Sequence, residues 1–193
     1  MNKPLTTISL LAGLGITLFL AHPRKTSAEA PSDEHSKIQI GYAIAPVPLD
    51  LKGKNRGLVG LGSYIVNSLG GCNDCHTSPP FAEGGDPFLG QSKQVNSSKY
   101  LSGGTEFGPF VSRNLTPNRL GRPAGFTLAQ FIEVMRTGKD LKNIPPPLPS
   151  PEVNLLQVMP WPVYQEMTDR DLKAIYEYLT AIPCIGSTTR CTP

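Results

Sequence analysis

Five consecutive residues, Cys72-Asn73-Asp74-Cys75-His76, constrain this chain more than any other feature. Two thiols three positions apart, followed at once by an imidazole, have the spacing that attaches a c-type haem. The spacing has a physical reason. Both sulfurs must reach the two vinyl groups on one edge of a macrocycle, and the next residue must turn its ring under the iron. One tight turn entering a helix places all three on one face, so that Cys72 and Cys75 become thioethers and His76 the proximal ligand. A Cys-x-x-Cys pair alone also serves redox dithiols and zinc sites. The dithiol reading lacks a βαβ setting in this Gly- and Pro-rich stretch. The zinc reading lacks a second ligand pair nearby, because the other cysteines are Cys184 and Cys191 and the other histidines are His22 and His35.

The first thirty residues read as an export signal, with Lys3 at the start, an apolar run from Leu5 to Ala21 and Ala28-Glu29-Ala30 as a small-x-small cleavage site. An uncleaved membrane anchor is the rival reading, although a run of about 17 residues is at the lower limit for spanning a bilayer. Export implies a periplasmic, oxidising setting. Cys184 and Cys191 then remain as an even pair, most simply a disulfide. Closing so short a loop stabilises a fold by roughly 2–3 kcal/mol in the chain-entropy picture. Removal of residues 1–30 takes away Lys3, Arg24, Lys25 and Glu29 and leaves 15 basic against 14 acidic residues. No global basic field remains to support nucleic-acid binding.

Residues 31–50, with a polar start and Pro46-Val47-Pro48, read as a flexible tether, and His35 as a solvated tail residue. A haem domain is expected over 51–183, followed by a tail, 184–193, carrying the disulfide. Its first helix fits 56–69, where Leu58, Leu61, Ile65 and Leu69 recur at helical spacing. Gly60 and Gly62 within it suggest the close approach of another helix. Loops follow over 77–126, with a short ribbon expected near 105–112. A second helix fits 128–137, with Thr127 and Gln130 as a capping box and Leu128, Phe131, Ile132 and Met135 as its stripe. The stretch 144–163 holds seven prolines and reads as a stiff strap with no regular helix. Thr168 then caps a third helix, which buries Leu172, Ile175, Tyr176 and Leu179 and stops at Pro183. The expected fold is mainly α, three principal helices around one haem with long Gly/Pro-rich loops.

A histidine on one side of the iron leaves the opposite position open, and a methionine thioether there raises the reduction potential. Met159 lies in the proline strap, followed by Pro160-Trp161-Pro162, which can present one sulfur with little ordering entropy. Met167, just before the third helix, and Met135, on the second helix, are the weaker candidates. Trp161 and Asn114, with Arg113 and Arg119, are candidates to hydrogen-bond the haem propionates. The second ring nitrogen of His76 is expected to donate to a backbone carbonyl, with Pro79, Pro80 and Pro87 as nearby options.

These segments resemble a monohaem class I cytochrome c of the bacterial periplasmic type. The resemblance rests on Gly62-Ser63-Tyr64-Ile65-Val66-Asn67 leading into Cys72–Thr77, on Asn114-Leu115-Thr116-Pro117, on Arg136-Thr137-Gly138, on Met159-Pro160-Trp161-Pro162 and on the run from Met167 to Leu179. It implies the class I cytochrome c fold, one covalent haem c, Met159 as distal ligand, and first and last helices that cross near the haem at Gly60 and Gly62. One departure is that Met159 lies farther from His76 than in the smallest members of that family. The extra chain over 77–126 would dock a partner or cover the haem. With both axial positions filled, the leading expectation is a one-electron carrier rather than an enzyme. Its partners would be redox proteins, a dehydrogenase or a terminal oxidase, with the chain a monomer or a complex subunit. The alternatives are a cytochrome subunit of a periplasmic dehydrogenase complex and a haem enzyme with an open iron position. Contact with a membrane is expected only if the N-terminal segment is retained.

Overall fold

The computed structural model describes residues 32–142 and 154–192. The signal-like segment and Pro145, Pro146, Pro147, Pro149 and Pro151 of the strap lie outside them. Among the described residues no helix is long and apolar enough to cross a membrane.

The described residues open with helix α1 (Asp33–Ile44). This helix replaces most of the tether expected over 31–50. Ser32 caps it by accepting from the His35 N–H at 3.2 Å, and Asp33 and Glu34 complement the positive end of the helix dipole. Its apolar residues form no stripe at helical spacing, which is why it does not read as a helix in the sequence. It is held instead by contact with α2 (Arg56–Tyr64). Gly41 of α1 lies against Gly60 of α2, where a Cβ on either residue would overlap the opposing helix. The Ser63 hydroxyl donates to the Gly41 carbonyl at 2.6 Å across the same contact.

Asn55 caps α2 by accepting from Leu58 N–H. The helix widens into a π-turn, Ile65–Leu69, and ends at Gly70 and Gly71, the latter left-handed at φ +57°. The short helix α3 (Cys72–His76) follows immediately. Two short strands, β1 (Glu106–Phe107) and β2 (Phe110–Val111), pair antiparallel around Gly108-Pro109, as the expected ribbon. Helix α4 (Leu128–Thr137) carries the complete Thr127/Gln130 capping box and ends at left-handed Gly138. Helix α5 (Trp161–Tyr164) is a single turn inside the stretch expected to lack helix; Pro162 stands in its first turn, where its missing N–H is not needed. Helix α6 (Asp169–Ala181) begins at Thr168, whose hydroxyl accepts from the Asp171 N–H and donates to its carboxylate. The short helix α7 (Thr188–Cys191) closes the chain.

The core is made by α2 and α6, with α4 packed beside α6. Val59, Leu61, Ile65 and Val66 meet Leu172, Ile175, Tyr178 and Leu179, all buried. Each such side chain taken from water contributes roughly 1.5–3 kcal/mol. Gly62 is the crossing point, where a Cβ would overlap the backbone carbonyl of Ala174. The two glycines of α2 therefore serve different neighbours: Gly62 admits the last long helix, as expected, whereas Gly60 admits α1. Four substantial helices rather than three build the described fold.

This geometry predicts opposite outcomes for two glycines of one helix. Gly62→Ala should lower stability by about 1–3 kcal/mol, the usual cost of overpacking. Gly57→Ala, whose Cβ would meet nothing closer than 3.4 Å, should leave stability unchanged or raise it by up to about 1 kcal/mol. Chemical denaturation of the two variants checks both.

Candidate haem site

The crossing of α2 and α6 fixes where the Cys-x-x-Cys-His segment begins. From Gly71 the chain turns once through α3, and Cys72, Cys75 and His76 line one cavity of about 670 Å³. That lies within the roughly 300–1,000 Å³ of cofactor and ligand sites. Its walls are largely apolar, with Val66, Leu115, Phe126, Phe131, Ile175 and Leu179 among the lining residues. Met159 also lines it, as do Met135 and Met167.

Both thiols are protonated in this setting. Burial pushes the Cys72 thiol up to about 12 and raises Cys75 as well. A redox dithiol works through a lowered thiol pKa, so the electrostatics of α3 run against that reading. Burial also lowers the pKa of His76, which favours the neutral imidazole that can bind a metal. The Nδ1 of His76 donates to the backbone carbonyl of Arg113 at 2.7 Å. That contact fixes the tautomer and leaves Nε2 as the free ring nitrogen. The expectation of a carbonyl acceptor holds, but the acceptor is not Pro79, Pro80 or Pro87. Those carbonyls are already engaged: Pro79 accepts from Asn96 Nδ2, Pro80 from Asn73 Nδ2 and Pro87 from Gly90 N–H.

Two residues expected at the propionates have hydrogen-bond partners within the chain. The Trp161 indole donates to the Leu156 carbonyl at 3.2 Å, and its ring lies where a Cβ on Gly138 would stand. Asn114 donates to the Ile185 carbonyl at 2.6 Å and accepts from Thr116 through both its N–H and its hydroxyl. Neither is among the described residues lining the cavity. In both, the polar group meets a nearer partner, so packing and loop geometry determine their roles. Arg113 does line the cavity and pairs with Asp140 at 2.5 Å. Arg119 contributes only its backbone N–H, to the Arg190 carbonyl.

Sequence reasoning missed two contributors. Tyr164 lines the cavity, and its hydroxyl donates to the Gly70 carbonyl at 2.7 Å, joining α5 to the turn before Cys72. Behind α3, a buried polar cluster ties the core together. Tyr100 donates to Asn67 Oδ1 at 2.5 Å and shares a 2.9 Å hydrogen bond with Tyr178, while the Asn67 amide reaches Ser63 and Tyr178. No local pattern marks these side chains, because their partners are up to 111 positions away. The disulfide between Cys184 and Cys191 is formed as expected.

The apolar cavity, the paired cysteines on one helical turn and a neutral, oriented imidazole fit a covalently held haem. Comparison with known proteins agrees. The chain is similar to the fructose dehydrogenase cytochrome subunit of Gluconobacter japonicus, 24% identical over 179 residues, covering 91% of this chain and 26% of that protein. It is 30% identical over 124 residues to the gluconate 2-dehydrogenase cytochrome c subunit of Pantoea cypripedii, covering 64% and 23%. It is 30% identical over 144 residues to the cytochrome c subunit of the quinone alcohol dehydrogenase of Gluconacetobacter polyoxogenes, covering 72% and 24%. The chain thus spans about a quarter of the length of these curated relatives. No family model matches it, and no solved structure does.

The polar cluster gives a quantitative expectation. Tyr100→Phe and Tyr178→Phe should each lower stability by about 1–2 kcal/mol, because each leaves a buried partner under-satisfied. The double variant should lose less than the sum, since the two hydroxyls share one hydrogen bond. A double-mutant cycle by denaturation measures that coupling.

Proposed function

We infer that this chain is a cytochrome c with an electron-transfer role, and the similarities favour a subunit of a dehydrogenase complex over a free carrier. We propose that this chain is a haem module of that kind, of the monohaem class I type, working in the periplasm and passing electrons from a dehydrogenase to a further redox protein. The observation that carries the reading is that α3 turns Cys72, Cys75 and His76 onto the cavity that Met159 also lines.

When bound there, haem c supplies a reversible one-electron change at its iron. The residues of the chain do the rest. Cys72 and Cys75 would tether it through thioethers, and His76, oriented by the Arg113 carbonyl, would offer Nε2 to the iron. Met159 would offer its thioether sulfur to the iron. Its segment is braced where Trp161 N–H meets the Met159 carbonyl at 2.8 Å and where Tyr164 reaches Gly70. The apolar walls limit water, which disfavours the more highly charged oxidised centre. With His76 and Met159 both held to the iron, the module would exchange electrons rather than bind substrate there. Catalysis then belongs to the partner enzyme.

Met159 is the ligand of choice because Met135 is buried in the α4 core and Met167 stands two residues before α6. The reduced protein should bind carbon monoxide poorly, and Met159→Ala should bind it readily, whereas Met135→Leu and Met167→Leu should behave as the parent. Optical titration distinguishes them. Free binding by the parent would mean an open iron and would favour the haem-enzyme reading. Binding gained by Met167→Leu instead of Met159→Ala would move the ligand assignment to Met167.

A further inference from the structure

The hydrogen bond that orients His76 is made by a backbone carbonyl, so its geometry depends on what holds residue 113. The segment carrying that carbonyl is anchored on one side to the core, where Leu115 N–H donates to the Leu101 carbonyl at 2.8 Å. Ser112 pairs with Thr105 and Gly104 just before it, and the Arg113 side chain pairs with Asp140; its remaining face meets the loop closed by the disulfide Cys184–Cys191. The contacts there are dense and reciprocal. Asn114 Nδ2 donates to the Ile185 carbonyl at 2.6 Å, and Ile185 N–H donates to the Thr116 hydroxyl at 3.1 Å. Arg190 donates to the Thr116 carbonyl at 2.5 Å and to Asn114 Oδ1 at 3.2 Å, and its own carbonyl accepts from Arg119 N–H at 2.6 Å.

The disulfide loop is shaped for this residue. Gly186 has φ +149°, and a Cβ there would come within 2.7 Å of Arg190 Cδ. The glycine thus clears a path for the Arg190 side chain to fold back onto the 113–119 segment. The arginine Nε is buried without a hydrogen-bond partner among the described residues, so part of its donor capacity is given up to reach that position. Burial lowers its pKa accordingly, yet an arginine stays charged at any pH the protein meets.

We propose that Arg190, held by the Cys184–Cys191 loop, is a positioning residue for the imidazole of His76. It locks the Asn114–Thr116 turn and thereby the Arg113 carbonyl that accepts from Nδ1. The proposal rests on the reading of His76 as a haem ligand. A hydrogen bond from Nδ1 makes an imidazole a stronger donor to a metal, which favours the oxidised iron and keeps the reduction potential down. Loosening the clamp therefore raises the potential. Simple loss of the Arg190 charge acts with the opposite sign, because a nearby positive charge favours the reduced, less positive centre.

The test uses the exported holoprotein in four forms: parent, Cys184→Ser/Cys191→Ser, Arg190→Ala and Arg190→Lys. The potential is read by redox titration, and amide exchange is read at Leu115 and Thr116. The serine pair and Arg190→Ala should both shift the potential upward. Both should also speed exchange at these amides by roughly five- to tenfold, as expected for losing about one net hydrogen bond. Arg190→Lys, which keeps a charged donor for the Thr116 carbonyl, should remain close to the parent. An unchanged potential in the serine pair, or a downward shift in Arg190→Ala, overturns the proposal, the second because it is the signature of a bare charge effect. If the serine pair does not fold, Arg190→Ala and Arg190→Lys decide alone. Absence of covalent haem in the parent would sink the functional reading itself, an outcome visible by mass before any variant is made.

Discussion

The structure depends on one close approach of backbone to backbone. At Gly62 the carbonyl of Ala174 occupies the space that a side chain would fill. That contact lets α2 and α6 interdigitate their apolar faces without a gap, and dense packing of this kind tolerates little error in either helix. Everything at the haem site follows from it. Helix α2 continues through a π-turn into Gly70, Gly71 and α3, so the crossing sets where Cys72, Cys75 and His76 stand. The Asn67, Tyr100 and Tyr178 cluster reinforces the same region, joining the π-turn, the loop before β1 and α6 through buried hydrogen bonds. A satisfied buried network of this sort rigidifies its surroundings.

The cavity makes sense as a missing part of the core. The apolar stripes of α4 and α6 reach its walls through Phe131, Met135, Ile175 and Leu179, so a large apolar cofactor would complete the packing that these helices begin. Two segments at its wall are tied through backbone carbonyls: Gly70 receives Tyr164, and Arg113 receives His76. The orientation of the His76 ring is thereby coupled to the loop that carries residue 113.

Features with local rules were readable from residues alone. The capping box of α4, the Thr168 cap of α6 and the stop at Gly138 each require only a few neighbouring positions. The features that escaped have partners distant in sequence. Helix α1 has no apolar stripe and is secured by Gly41 against Gly60. Trp161 and Asn114 have the chemistry to meet a carboxylate, but Leu156 and Ile185 reach them first. The Pro160-Trp161-Pro162 run reads as a helix breaker, yet proline in the first turn of a helix lacks only a donor that the turn does not use.

By itself the sequence determined the chemistry. Cys72, Cys75 and His76 lie within five consecutive residues, so their spacing already dictates what they can hold, and Cys184 and Cys191 are close enough along the chain to find each other. Only the tertiary structure decided the surroundings of that chemistry: which carbonyl orients His76, which groups turn away from the cavity, and why Gly60 and Gly62 face different helices. Covalent spacing travels with the chain in any conformation. Contacts across tens of residues exist only once the core has closed, and the free energy that selects among them is shared by many side chains at once.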